Sequence, residues 1–218
     1  MPTYTNTLRG FALFAAIIGI GAGALLALSP ASAQAEVVST DVALGEMSLG
    51  NTDAPVVLHE YSSLTCPHCA AFHADTLPAI KKEYVDTGKV RIVFHDFPLD
   101  NLALAALMIV RCSGPERNID FFNMLYETQA DWSRASNPRG ALVALARFYG
   151  MDGADVNTCL TNEAMMNAII EARTSATDLH KIESTPSFVL DGNLITGALP
   201  FDAFKEKLDQ ALAAKGAQ

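Results

Sequence analysis

The spacing of apolar residues along the chain changes period several times. Residues 56–58 form an apolar run, and 56–61 read as a strand. From Pro67 onward the period becomes helical: Phe72, Leu77, Ile80 and Tyr84 recur near one face, beside the charged Lys81, Lys82 and Glu83. Pro78 inside this pattern predicts a kink, and Gly88 ends the helix. Residues 90–97, with Arg91, His95 and Asp96 interspersed, read as a second strand, so the first three elements predict a right-handed parallel unit. Helical stretches follow at 102–112, 119–126, 141–149, 156–160 and 164–179, separated by Gly114-Pro115, Asn137-Pro138, Gly150 and Asp152-Gly153. The strand pattern returns at 187–190, turns at Asp191-Gly192-Asn193, and continues at 194–196, which is a hairpin signal. Residues 201–212 predict a closing helix with Phe201, Phe204, Leu208 and Leu212 on one side. Residues 36–55 read as a leader with a short extended piece at 47–49 and a turn at 50–55. The fold class is α/β: a small sheet with flanking helices, interrupted by a helical block.

Part of the apolar content lies outside this pattern. Residues 11–28 carry no charge, follow Arg9, and lead to Ala31-Ser32-Ala33-Gln34-Ala35. A positive start, an apolar stretch and tandem small residues predict a signal peptide over 1–35, cleaved near Ala33 or Ala35. An uncleaved membrane anchor is the alternative, although Gly19, Gly21 and Gly23 dilute the run. Either way the globular part is exported, to the periplasm or its equivalent. The 218-residue chain carries 15 Lys and Arg against 24 Asp and Glu, a net charge of −9. Arg9 is the one charged residue before Glu36, so the exported part is more acidic still. Such a surface repels nucleic acid and anionic lipid.

Export changes the meaning of cysteine, because thiols outside the cytosol meet oxidising conditions. The four are Cys66, Cys69, Cys112 and Cys159, which permit three pairings. Cys66 and Cys69, separated by Pro67 and His68, fall between the first strand and the first helix. That context suits a thiol–disulfide redox site. Cys66 stands near the N-cap and Pro67 at the first helical position, where its missing N–H costs nothing. The free backbone N–H groups of the first turn favour a thiolate on Cys66. Cys69, one turn further in, is more shielded. Cys66 is therefore the attacking sulfur and Cys69 the resolving one, with His68 able to hydrogen-bond the thiolate or carry positive charge. Haem attachment would need His after the second cysteine, and that position is Ala70. Two further readings stay open. Cys66, Cys69 and His73 could bind zinc or copper, although no second Cys-x-x-Cys completes a structural site. A plain structural staple would close too small a loop to stabilise much.

Residues 56–61 leading into Cys66-Pro67-His68-Cys69, the helical block, and Ser184-Thr185-Pro186-Ser187-Phe188 before the hairpin together resemble the DsbA-like branch of the thioredoxin superfamily. The resemblance covers about residues 40 to 213. It implies a thioredoxin fold over 36–99 and 181–218 with an inserted helical domain over 100–180. It also implies oxidation of the thiols of unfolded or partly folded secreted proteins, by the Cys66–Cys69 disulfide without a further cofactor or metal. Reoxidation by a membrane partner would follow, and the enzyme would be monomeric. Cys66 matches the family's nucleophile, Cys69 its resolving thiol, and Pro67 and His68 its variable dipeptide. Pro186 matches its cis-proline, with Thr185 presenting backbone to an extended substrate. The alternative for Pro186 is the start of an edge strand. Glu60, six positions before Cys66, matches an acidic residue in some members; a carboxylate on a strand beside an apolar core could shuttle protons to Cys69, whereas alternation alone could turn it to solvent. His59, His73 and His95 read as surface or helix-face residues. Some DsbA-like proteins carry a second, structural disulfide in the helical region, which suggests a Cys112–Cys159 bridge here, against two free buried thiols. A disulfide isomerase or reductase of the same fold is the enzymatic alternative. Such enzymes often dimerise through an added N-terminal domain, for which the leader is too short.

Overall fold

The computed structural model describes residues 37–217; the segment read as a signal peptide lies outside them. A short helix α1 (Thr40–Ala43) and strand β1 (Met47–Leu49) precede β2 (Val56–Ser62). Gly50 joins β1 to the turn before β2 at φ 104°, and a Cβ there would lie 2.8 Å from the Val90 carbonyl oxygen, so only glycine fits. A helical run follows β2. It begins as α2 (Pro67–Ala71), widens to a π-helical segment (Phe72–Thr76), tightens to α3 (Leu77–Ile80) and widens again (Lys81–Val85). Proline clashes with the carbonyl four residues back and lacks an N–H. The π-turn placed just before Pro78, where the Leu77 N–H reaches back to the Phe72 carbonyl, lets the helical run continue past it. Gly88 closes the run at φ 75°, and β3 (Val90–Asp96) returns beside β2 in parallel register, Glu60 opposite Phe94.

Six helices lie between β3 and the next strand: α4 (Asn101–Cys112), α5 (Asn118–Glu127), α6 (Gln129–Ser133), α7 (Pro138–Ala146), α8 (Gly153–Leu160) and α9 (Glu163–His180). Their starts obey side-chain capping. Asp100, Asn137, Asp152 and Asn162 each accept backbone N–H bonds in the first turn of α4, α7, α8 and α9. Helix α6 is absent from the sequence pattern because five residues are too few to display a period. The hairpin is β4 (Ser187–Leu190) and β5 (Asn193–Thr196), and α10 (Phe201–Ala214) closes the chain.

The sheet order is β1-β3-β2-β4-β5, antiparallel except for β2 and β3. One core runs through both the sheet and the helical block: Leu58, Ile92, Phe94 and Phe188 belong to the same buried cluster as Phe121, Phe122, Leu125, Trp132 and Met165. The block is thus packed on the sheet's own interior. A disulfide joins Cys112 of α4 to Cys159 of α8, their Cα atoms 6.1 Å apart across 47 positions of sequence. Arg111, beside that bridge, is buried against Asp96 with Nε to Oδ2 at 2.8 Å, and its Nη1 donates to the Gly45 carbonyl oxygen. This ties α4 to β3 and to the arm before β1. Among the described residues, no helix is long and apolar enough to cross a membrane.

Candidate active site

Strand β2 ends at Ser62, and four residues later the chain enters α2. Cys66 is the N-cap residue with extended backbone (φ −79°, ψ 118°), and Pro67 is the first helical residue. The connecting loop is held from three sides. The Cys66 N–H donates to the Ser63 carbonyl at 3.0 Å. The Thr65 hydroxyl donates to Asp100 Oδ2 at 2.8 Å, the same carboxylate that caps α4. Buried Gln129 of α6 donates from Nε2 to the carbonyls of Leu64 (2.8 Å) and Cys66 (2.9 Å). Gln129 left no signal in the sequence, since α6 itself was illegible. Asp100 does carry a local signal, a carboxylate just ahead of an apolar helix.

Cys66 and Cys69 are unbridged and both buried, Cys69 completely, while Pro67 and His68 between them are exposed. The Cys66 thiol is brought down from its ordinary 9.0 to about 5. The hydrogen bond from the Cys69 side chain is the largest cause. Burial opposes it, and the Thr185 side chain and the backbone N–H groups of Cys69 and His68 add to the lowering. Cys69 moves the other way, far above the ordinary thiol range, because burial and the neighbouring Cys66 sulfur both disfavour a second anion. The arrangement therefore holds one thiolate and one thiol.

The segment after α9 forms the opposite wall. The Thr185–Pro186 peptide bond is cis, and the Cys66 Sγ lies 3.3 Å from the Thr185 carbonyl oxygen, to which the thiol, when protonated, donates. The Thr185 hydroxyl oxygen is buried and, among the described residues, has no partner within hydrogen-bond distance, so it favours the Cys66 thiolate from further off.

Glu60 faces the core. Along β2 the residues Val56, Leu58, Glu60 and Ser62 are all buried on the inner side. Register places Glu60 between Phe94 of β3 and Phe188 of β4. Its Oε1 accepts a hydrogen bond from His73 Nε2 at 2.9 Å. Of the two readings of His73, surface or helix face, the surface one fails, for its side chain on the helical run is 5% exposed. The reason is tertiary: α5 covers the flank of the helical run that the apolar stripe leaves out, and the His73 ring stacks on Tyr126 of α5 at 4.1 Å. Tyr126 is wholly buried and its hydroxyl is held protonated well above the ordinary range, by burial first and then by the charges of Cys69 and Glu60. His59 and His95 lie on the other side of the sheet, 2.9 Å apart (Nδ1 to Nε2), with Tyr61 stacked on His95. Both are half-buried. Among the described residues, no three His, Cys, Asp or Glu side chains are grouped so as to hold a metal ion.

A thioredoxin family model matches residues 43–210. The chain is 30% identical over 168 residues to a putative protein-disulfide oxidoreductase of Rickettsia felis, covering 77% of this chain and 60% of that protein. It thus spans about 60% of the length of the rickettsial relatives it matches. Disulfide bond formation protein D of Bacillus subtilis is 26% identical over 176 residues, 78% of this chain and 79% of that one. Among solved structures, Wolbachia pipientis alpha-DsbA1 superposes with a TM-score of 0.73 at 26% identity, covering 82% of this chain and 98% of that chain. The sheet and its helical insertion are those of the DsbA structures.

Proposed function

Because the chain belongs to the thioredoxin family, we propose that it is an exported dithiol oxidase that introduces disulfide bonds into secreted proteins. The observation that carries this reading is the asymmetry of the two thiols: Cys66 at about 5 beside a Cys69 held protonated. Stabilising the thiolate of the reduced form makes the corresponding disulfide a stronger oxidant. In the cycle, a substrate thiolate attacks Cys66 of the oxidised pair. A mixed disulfide forms and Cys69 leaves, taking up a proton. A second substrate thiolate then attacks the substrate sulfur of the mixed disulfide, and Cys66 leaves as a thiolate that needs no proton. Substrates are unfolded or partly folded secreted chains. They would lie against Pro67, His68 and the Thr185–Pro186 wall, pairing with the Thr185 backbone as an added strand. A membrane reoxidase would reverse the chemistry at Cys66. Both thiols and the wall come from one chain, so the cycle needs no second copy, and the acidic surface gives nucleic acid no part in it.

Glu60, buried among phenylalanines, is assigned the proton exchange with Cys69, as general acid when Cys69 leaves and as general base when Cys69 re-attacks. A signal peptide over 1–35, read from the sequence alone, would carry the enzyme out of the cytosol. Equilibration of the Cys66–Cys69 couple against a glutathione redox series tests the reading. A strongly oxidising potential is expected, with activity lost in Cys66→Ala. A potential near about −270 mV, the thioredoxin value, would make the protein a reductase.

A further inference from the structure

Cys69 is completely buried, yet it must gain a proton each time it leaves the disulfide and lose one each time it re-forms it. Buried Glu60 cannot exchange protons with solvent unaided, because it has no surface. Four polar atoms of this region are buried without a hydrogen-bond partner among the described residues: Glu60 Oε2, Ser62 Oγ, His73 Nδ1 and the Tyr126 hydroxyl. So many orphaned groups beneath one reactive thiol indicate a polar path. A groove of about 490 Å³ between the helical run and α5 has His73 and Tyr126 in its wall, with Asp120, Glu127 and Lys81 also lining it. His73 is the residue common to the groove and to Glu60.

Resting on the reading of Glu60 given above, we propose that His73 is the relay between Glu60 and solvent, entered through the groove between the helical run and α5. When Cys69 leaves the disulfide, its thiolate takes the proton of the Glu60 carboxylic acid. His73 then takes a proton at Nδ1 from solvent reaching it through the groove and, as the imidazolium so formed, passes its Nε2 proton to Glu60 Oε1. Reoxidation runs the steps backwards. Cys69 attacks Cys66 in the mixed disulfide, the Cys66–Cys69 bond forms, the partner thiolate departs, and the Cys69 proton leaves by Glu60 and His73. The groups facing the pair suit this role. Tyr126 of α5 stays protonated, Phe94 and Phe122 are apolar walls, and Asp96 of β3 is already engaged by Arg111. His73 acts on Cys69 through Glu60 and is a positioning and proton-carrying residue.

The test is stopped-flow oxidation of the reduced protein by saturating glutathione disulfide, where resolution by Cys69 limits the plateau rate, measured across pH. His73→Gln keeps a donor to Glu60 but cannot titrate; His73→Ala opens the groove to added imidazole; Glu60→Gln tests the underlying reading. We expect His73→Gln to slow the plateau about tenfold or more and to flatten its pH profile. Imidazole should restore the rate of His73→Ala and leave Glu60→Gln slow. A wild-type rate in His73→Gln, or no rescue of His73→Ala, with Glu60→Gln slow, overturns the relay and leaves Glu60 in place. A wild-type rate in Glu60→Gln overturns both.

Discussion

Reduction should make the stability of this protein depend on pH in a way its disulfide form does not. The perturbation is titration of Cys66, whose thiol moves from an ordinary 9.0 to about 5 in the folded dithiol protein. Between those values the unfolded chain keeps the Cys66 proton and the folded chain has released it, so stability rises with pH. The contribution is complete above the unfolded value and is lost as pH falls through the folded one. Its slope is about 1.4 kcal/mol per pH unit, which accumulates to roughly 3 kcal/mol at neutral pH. The same term makes the disulfide roughly 60 mV more oxidising than a pair with an ordinary Cys66. Cys69 adds nothing below the ordinary thiol range, since its pKa is raised. His95, lowered to about 4 by burial and then by His59, and His59, lowered by burial and His180, weaken the fold in acid. They do so in both redox states and cancel in the difference. The assay is urea unfolding of the dithiol and disulfide forms over a pH series, with the difference in unfolding free energy plotted against pH. A rise in favour of the dithiol form by about 2 kcal/mol from about pH 5 to 7 is expected. A flat difference across that window would refute the assignment of a thiolate to Cys66.

Three further perturbations follow from particular contacts. Cys69→Ala removes the largest cause of the low Cys66 pKa; thiolate absorbance against pH should then titrate at least about one unit higher, and an unmoved curve would assign the effect to Thr185 and the backbone N–H groups. Opening the Cys112–Cys159 bridge by double alanine substitution releases a 47-residue loop and should cost up to about 4 kcal/mol in chemical denaturation, without moving the Cys66–Cys69 potential; a changed potential would show that the bridge tunes the site. Arg111→Met leaves Asp96 buried beside no cation and should cost about 3–5 kcal/mol, most of it regained on adding Asp96→Leu; additive losses in the pair would mean that the ion pair itself stabilises the fold.

What the sequence made legible was what local chemistry determines. Cys66, Pro67 and Cys69 could be placed on a strand-to-helix turn because proline at the first helical position is a local matter. The strands of the sheet and the long helices followed from period. Glu60 stayed ambiguous because alternation sets which residues share a face but not which face is covered. The burial of His73 was missed for a related reason. The apolar stripe of its helix points at the sheet, and nothing in the stripe announces that α5 will cover the flank as well. Gln129 was invisible because its partners are main-chain carbonyls some sixty positions away.

These illegible groups come from, or are covered by, the helical insertion, and this bears on what the insertion does. The sheet, α2 and the Thr185–Pro186 segment suffice to place two thiols beside the cis-peptide wall. They do not fix the loop bearing Cys66, which Gln129 and Asp100 hold, nor seal the region beneath Cys69, which α5 roofs with Tyr126 against His73. A thiolate at Cys66 is favoured only while Cys69 keeps its proton, and Cys69 keeps its proton because it is dry. Drying Cys69 creates the need for a proton path, and the same helix that dries it forms one wall of the groove leading to His73. The insertion thus belongs to the redox site on physical grounds: it supplies the burial that separates the two thiols in pKa and lines the route by which the buried one can exchange its proton.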